Sequence, residues 1–300
     1  PILQSTNQYH KPGVSIFQDF ELPVVKGEFI AFCECDDYWV DDHRLQKAVD
    51  YLRSHSDCAA VYQNCVIVDE HGRQCQDLAK LKCCYRIWQE RNYSGFDFAT
   101  TGIFPGQTAG LTIRSSCYKA LGGSALASRA ALGVNGDTAN VVTALAFGSI
   151  HVLPDISVAH RVVVDKGDSW TARTSGKNIA GDSYVGQLAL RKWYKNLTHR
   201  CFWNYGPSAK TGIIALLRVL RDPTNANTQQ AKRVVASTGN SVICALKLLS
   251  NYLIGLPIEV FWTMRRIINE GKYFGTLCFD SSVDTSPLVV DSERQNGDAV

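Results

Sequence analysis

The chain has 300 residues, enough to bury a sizeable core as one large domain or two small ones. Its formal charge of +3 gives no electrostatic case for a nucleic-acid partner. Eleven cysteines lack the paired spacing of a zinc site, and a chain this long and apolar does not need a disulfide scaffold, so they read as reduced thiols of a cytosolic protein.

Apolar spacing predicts a helix from Val14 to Val25, with Pro23 near its end, where it would break it. Phe29 to Cys33 are apolar without alternation, as in a strand buried on both faces of a parallel sheet. Glu34, Asp36 and Asp37 follow at the carboxyl end of that strand, where open α/β sheets bind ligands. Clustered carboxylates repel unless a cation sits among them, and hard oxygen ligands suit Mg²⁺ or Mn²⁺. The plainer alternative is a solvated acidic loop.

Asp41 or Asp42 can cap a helix running to Ser54. Ala59 to Val68 reads as a strand ending in the turn Asp69-Glu70-His71-Gly72. Residues 74–98 are mixed, and core packing is preferred over sugar stacking for their aromatics, among them Tyr85, Trp88, Tyr93 and Phe96. Gly106 to Ser115 reads as a polar turn entering an alternating strand, and Cys117 to Leu121 as a helix stopped by Gly122-Gly123. Asp137 opens a helix, Thr138 to Phe147, that Gly148 terminates, and Ile150 to Leu153 follows as a strand. By itself Asp137 is as well explained as a helix cap; paired with the acidic loop, a catalytic carboxylate becomes the better reading.

Beyond Trp170 the pattern is helical. Tyr184 to Trp203 and Lys210 to Leu220 are separated by Gly206-Pro207, and Asp222 to Gln230 reads as a polar linker. Ala231 to Leu253 and Ile258 to Asn269 are predicted as two helices broken at Gly255-Leu256-Pro257. Lys247, Asn251, Pro257 and Glu259 argue against a membrane span in the apolar run Val242 to Val260. A helix packed on the core is preferred there over an interfacial helix with Arg265 and Arg266 beside it. Gly275 to Val300 is polar and predicted to be disordered.

The stretch Lys26 to Trp39, KGEFIAFCECDDYW, and its continuation Val40 to Leu52 resemble the metal-binding loop of glycosyltransferase family 2, an inverting bacterial family of GT-A fold. Glu34 stands where the family pattern D-x-D-D-x-W begins with Asp. Asn135 to Trp170 resembles the family's second acidic motif, helix, strand and closing element Y-R-x-H-x-G-x-S-W, with His160 in place of the aromatic and Val163 where the family often has His. If that His serves the diphosphate or the metal, this chain must do without it or use His160. Gly106 to Ser115 is similar to the family's acceptor-side strand.

The resemblance implies an α/β fold, a GT-A-like mostly parallel sheet over residues 1–174, with the family's earlier strands lacking a counterpart. Residues 175–272 form a helical extension and 273–300 a disordered tail. It implies transfer of a sugar from a nucleotide-sugar, a UDP-sugar, to a hydroxyl of a surface polysaccharide or lipid-linked glycan at the inner face of the membrane. By the same resemblance Asp137 is the base. Glu34, Asp36, Arg161 and Trp170 bind the nucleotide-sugar, Gln107 and Thr108 face the acceptor, and Asp37 with Asp36 holds Mg²⁺ or Mn²⁺. A sugar-phosphate nucleotidyltransferase and a non-catalytic interaction module are the alternatives.

Overall fold

The computed structural model describes residues 5, 6, 8, 11, 14, 16–77, 87, 89–95, 97–98, 104–122, 136–163, 178–200, 205–237, 239–269 and 279–286. In place of the regular helix expected over 14–25, a π-helical turn at Ile16–Glu21 runs into a 3-10 turn at Leu22–Val24. Pro23 sits in that turn and has no N–H with which to continue a ladder.

The sheet comprises β1 (Phe29–Ala31), β2 (Tyr38–Trp39), β3 (Cys58–Val68), β4 (Arg91–Tyr93), β5 (Leu111–Arg114) and β6 (Ser149–Arg161). Their order is β1-β5-β3-β6-β2, with β4 also on β6. The expectation of a mostly parallel sheet is corrected: among the described residues only β3 and β6 pair in parallel, and the other pairs are antiparallel. β5 enters the sheet antiparallel to β3. Gly110 lies so close to β3 that a Cβ there would stand 2.4 Å from the Gln63 carbonyl oxygen, and Leu111 then runs back from Tyr62. β1 pairs with β5 as the terminal strand of this order and is only half-buried, not covered on both faces as its composition suggested.

The central pair carries the core. Every residue of β3 is buried, because Ala, Val, Tyr, Cys and Ile side chains are covered on both faces. β6 extends well past the predicted Leu153, continuing through Pro154-Asp155 to Arg161. Its register against β3 slips there, a bulge that Asn64 stabilises by donating to the Pro154 carbonyl at 2.9 Å.

Three helices pack around the sheet: α1 (Arg44–Ser54), α2 (Ser115–Gly122) and α3 (Gly136–Phe147). Arg114 secures the end of α1 by donating to the carbonyls of Leu52, His55 and Cys58. Gly148 ends α3, where a Cβ would meet the Asp57 carbonyl oxygen at 2.4 Å. Among the described residues Cys33, Cys35, Cys58, Cys65, Cys75, Cys117 and Cys244 take no part in a disulfide.

The helical layer consists of α4 (Ala180–Thr198), α5 (Tyr205–Arg221), α6 (Asn225–Ala236) and α7 (Ser241–Asn269). The predicted linker 222–230 contains the whole first half of α6, because the Thr224 hydroxyl accepts the Asn227 N–H and starts the helix. Gly206-Pro207 fall in the first turn of α5, where proline is tolerated, and Pro257 lies inside α7 instead of dividing it. One side of α4 places Leu190 and Tyr194 in the main sheet core, and Tyr184 on another side joins Ala209, Ala215, Val234, Cys244 and Leu248 of the other helices. No single helix among the described residues is long and apolar enough to cross a membrane.

Residues 279–286 were expected to belong to a disordered tail, yet they pack on the sheet. Phe279 joins Cys65, Ile67 and Val158, while Val283 joins Val66, Val68 and Ala159. Alternate residues of a strand point to opposite faces, so the segment straddles the carboxyl ends of β3 and β6. Gln74 fastens it, donating to the Asp280 and Val283 carbonyls and accepting the Asp280 N–H.

Candidate active site

The acidic loop is folded back by the register of β2. Tyr38 pairs with Ala159, which puts Asp37 beside the next residues of β6, His160 and Arg161. The Asp37 side chain is fully buried there. Its Oδ1 accepts the Arg161 backbone N–H at 3.0 Å, and His160 Nδ1 lies 2.9 and 3.0 Å from its two oxygens. A carboxylate only accepts, so Nδ1 carries the proton in this contact.

The turn ahead of β5 supplies the opposite wall. Gln107 and Thr108 are both buried. The Gln107 amide nitrogen lies 3.1 Å from Glu34 Oε2 and 3.1 Å from His160 Nδ1. Thr108 donates its hydroxyl to Asp137 Oδ1 at 2.6 Å, which ties the first turn of α3 to the same wall. Two side chains brace this turn against the acidic loop: Trp39 Nε1 donates to the Ala109 carbonyl at 3.1 Å and Arg44 Nη2 to the same oxygen at 2.8 Å. Arg44 is fully buried with its guanidinium 4.4 Å from the Trp39 ring centroid. Burial lowers its pKa to about 10, which leaves it charged at neutral pH.

Of the residues predicted from sequence, Glu34, Asp37, Gln107, Thr108, Asp137 and the backbone of Arg161 are thus brought together. Asp36 is exposed on the same loop. The Arg161 guanidinium stands 5.7 Å from the Tyr38 ring centroid. Trp170 and the closing residues Gly167, Asp168 and Ser169 lie outside the described residues. Sequence reasoning had His160 as a substitute ligand and missed Arg44, a cation in the predicted helix whose burial only the tertiary packing reveals. The strap 279–286 was missed too, although it reaches this region: Tyr38 donates its hydroxyl to the Thr285 carbonyl at 2.7 Å.

The electrostatics of the pocket are those of crowded negative charge. Burial, followed by the charges of Asp137 and Asp37, pushes the Glu34 carboxyl up to about 7. Burial also raises the Tyr62 hydroxyl, with the charge of Asp137 adding to it, so Tyr62 stays protonated and able to donate. The carboxylates match the ligand preferences of Mg²⁺ or Mn²⁺. Among the described residues, however, no three His, Cys, Asp or Glu side chains are arranged to hold a metal ion as they stand, and Asp37 is closed on His160 and the Arg161 N–H. Asp36 and Asp37 have the oxygen-donor chemistry that a divalent cation takes.

No protein-family model matches the chain, and no solved structure matches it. It is 34% identical over 74 residues to uncharacterized proteins of Mycobacterium bovis and Mycobacterium tuberculosis, a match covering 24% of this chain. The chain spans about a fifth of the length of these relatives, 20% in each.

Proposed function

We propose that this chain is a GT-A-type glycosyltransferase domain that moves a sugar from a nucleotide-sugar, a UDP-sugar, to a hydroxyl of a surface glycan or lipid-linked acceptor. The supporting observation is convergence: the acidic loop with Glu34 and Asp37, the turn with Gln107 and Thr108, Asp137 of α3 and His160 of β6 come from four separate parts of the sequence and meet through side-chain contacts, which a solvated acidic loop would not require.

In this reading Asp137 takes the acceptor hydroxyl proton while the acceptor oxygen bonds to the anomeric carbon and the bond to the diphosphate oxygen breaks. Thr108 holds the Asp137 carboxylate in place. A divalent cation at Asp37 and Asp36, when bound, neutralises charge on the departing diphosphate. Arg161 supplies a positive group for the diphosphate. Work at the cytoplasmic face of a membrane follows from a lipid-linked acceptor.

Incubating the full-length protein with a panel of UDP- and GDP-sugars, with and without Mn²⁺, tests the reading. Metal-dependent release of the nucleoside diphosphate is expected. Consumption of a nucleoside triphosphate with a sugar phosphate would instead indicate a nucleotidyltransferase, and failure of every donor would indicate a non-catalytic module.

A further inference from the structure

We propose that α7, with α5 packed beside it, docks this protein on the surface of an anionic lipid bilayer. α7 holds to the helical layer through Cys244 and Leu248, both buried. At 3.6 residues per turn, Val242, Leu246, Leu249, Leu253, Leu256 and Val260 fall on the opposite side. All six are exposed, Val242 at 65% and Leu246 at 62%. Ile243 and Ile254 are also exposed and widen the row. At 1.5 Å per residue the row runs about 27 Å, a continuous apolar band unlike the scattered leucines of an ordinary surface.

Charge identifies the occupant. α5 and α7 carry Lys210, Arg218, Arg221, Lys247, Arg265 and Arg266 against Glu259 alone, an excess larger than the +3 of the whole chain. Arg218 and Arg221 line one cleft with Asn178, Asp222 and Thr224, and the same helix exposes Leu217 and Leu220. Two packed helices that expose apolar side chains and carry an excess of cations suit a layer of acyl chains beneath phosphate headgroups. A second copy of the chain would set these cations against their own equivalents. A helical partner would use a narrow seam flanked by opposite charges, whereas this band is broad and contains Pro257. The inference stands independently of the sugar-transfer reading.

Flotation of the full-length protein with phosphatidylcholine vesicles, with and without phosphatidylglycerol, tests it. Binding is expected to the anionic vesicles and to weaken with salt. Leu246→Glu/Leu253→Glu should reduce vesicle affinity roughly a hundredfold with unchanged circular dichroism and melting. Arg218→Glu/Lys247→Glu, at two exposed positions, leaves the apolar band intact and should reduce binding to the anionic vesicles by about tenfold or more. Absence of binding by the unmodified protein, or binding unaffected in both variants, overturns the proposal. A dimer in light scattering that Leu246→Glu/Leu253→Glu dissolves, without vesicle binding, assigns the face to a second copy instead.

Discussion

Asp37 and His160 lie 123 residues apart in the chain and meet at 2.9 Å. The contact follows from two residues of β2 pairing with the end of β6, so the shortest strand of the sheet fixes the position of the buried carboxylate. Asp37→Asn keeps the shape and an acceptor for the Arg161 N–H but removes the charge. UDP binding with Mn²⁺ should be lost, by at least about tenfold, while the domain stays folded. Calorimetry decides this; an unchanged affinity refutes the role given to Asp37.

Glu34 sets a pH dependence. Its pKa rises from an ordinary 4.5 to about 7 on folding, so between these values the native state holds a proton that the unfolded chain has released. Stability of the metal-free protein should therefore fall as pH rises from about 4.5 to about 7 and level off above that. Glu34→Gln removes this slope and should raise the melting temperature at pH 8. Added Mn²⁺ should stabilise the unmodified protein more at pH 8 than at pH 5. Parallel melting curves for the two proteins across this range would contradict the assignment.

What the sequence made legible here is what depends on neighbours in the chain. Asp37 stands out as an abrupt end to an apolar run, Asp137 as the opening of a helix, and Gly148 as its stop. What it concealed depends on distant partners. The apolar run 29–33 suggested a covered parallel strand, but β1 pairs antiparallel with β5 at one end of the strand order and is only half-buried. Pro154-Asp155 looked like the end of a strand, yet Asn64 from β3 receives the bulge. Arg44 reads as one more helix cation until its guanidinium is found under the Ala109 carbonyl.

The strap should contribute measurably to stability. Phe279 and Val283 cover opposite faces of β3, and Tyr38 donates to Thr285. Phe279→Ala should cost about 2 kcal/mol, less than a fully buried Phe because Phe279 is half-buried. Tyr38→Phe should cost about 1 kcal/mol, the net worth of one hydrogen bond. Urea midpoints unchanged in both variants would mean that the strap does not hold to the sheet in solution.

The helical layer should unfold with the sheet as one unit. Leu190 on α4 is buried within the main sheet core, so Leu190→Ala leaves a cavity there at a cost of about 2–5 kcal/mol. Circular dichroism, dominated by the helices, and hydrogen exchange of the β3 amides, in the sheet, should shift together. Two separate transitions would show that α4–α7 fold independently.

The hydroxyl of Thr108 and the carboxylate of Asp137 act together in the proposed transfer. Asp137→Asn preserves size but cannot take up the acceptor proton, so transfer should fall by roughly 10²–10⁴. Donor affinity should change little, because the base acts on the acceptor. Thr108→Val keeps the shape and removes the 2.6 Å hydrogen bond that orients the carboxylate. It should lower kcat by about tenfold and leave the donor KM near its original value. Thr108→Ser, which restores the hydroxyl, should recover most of the rate, a rescue that loss of packing alone would not predict. If Asp137→Asn retained full transfer activity, Asp137 would serve only the helix that it opens, and the acceptor proton would leave by another group.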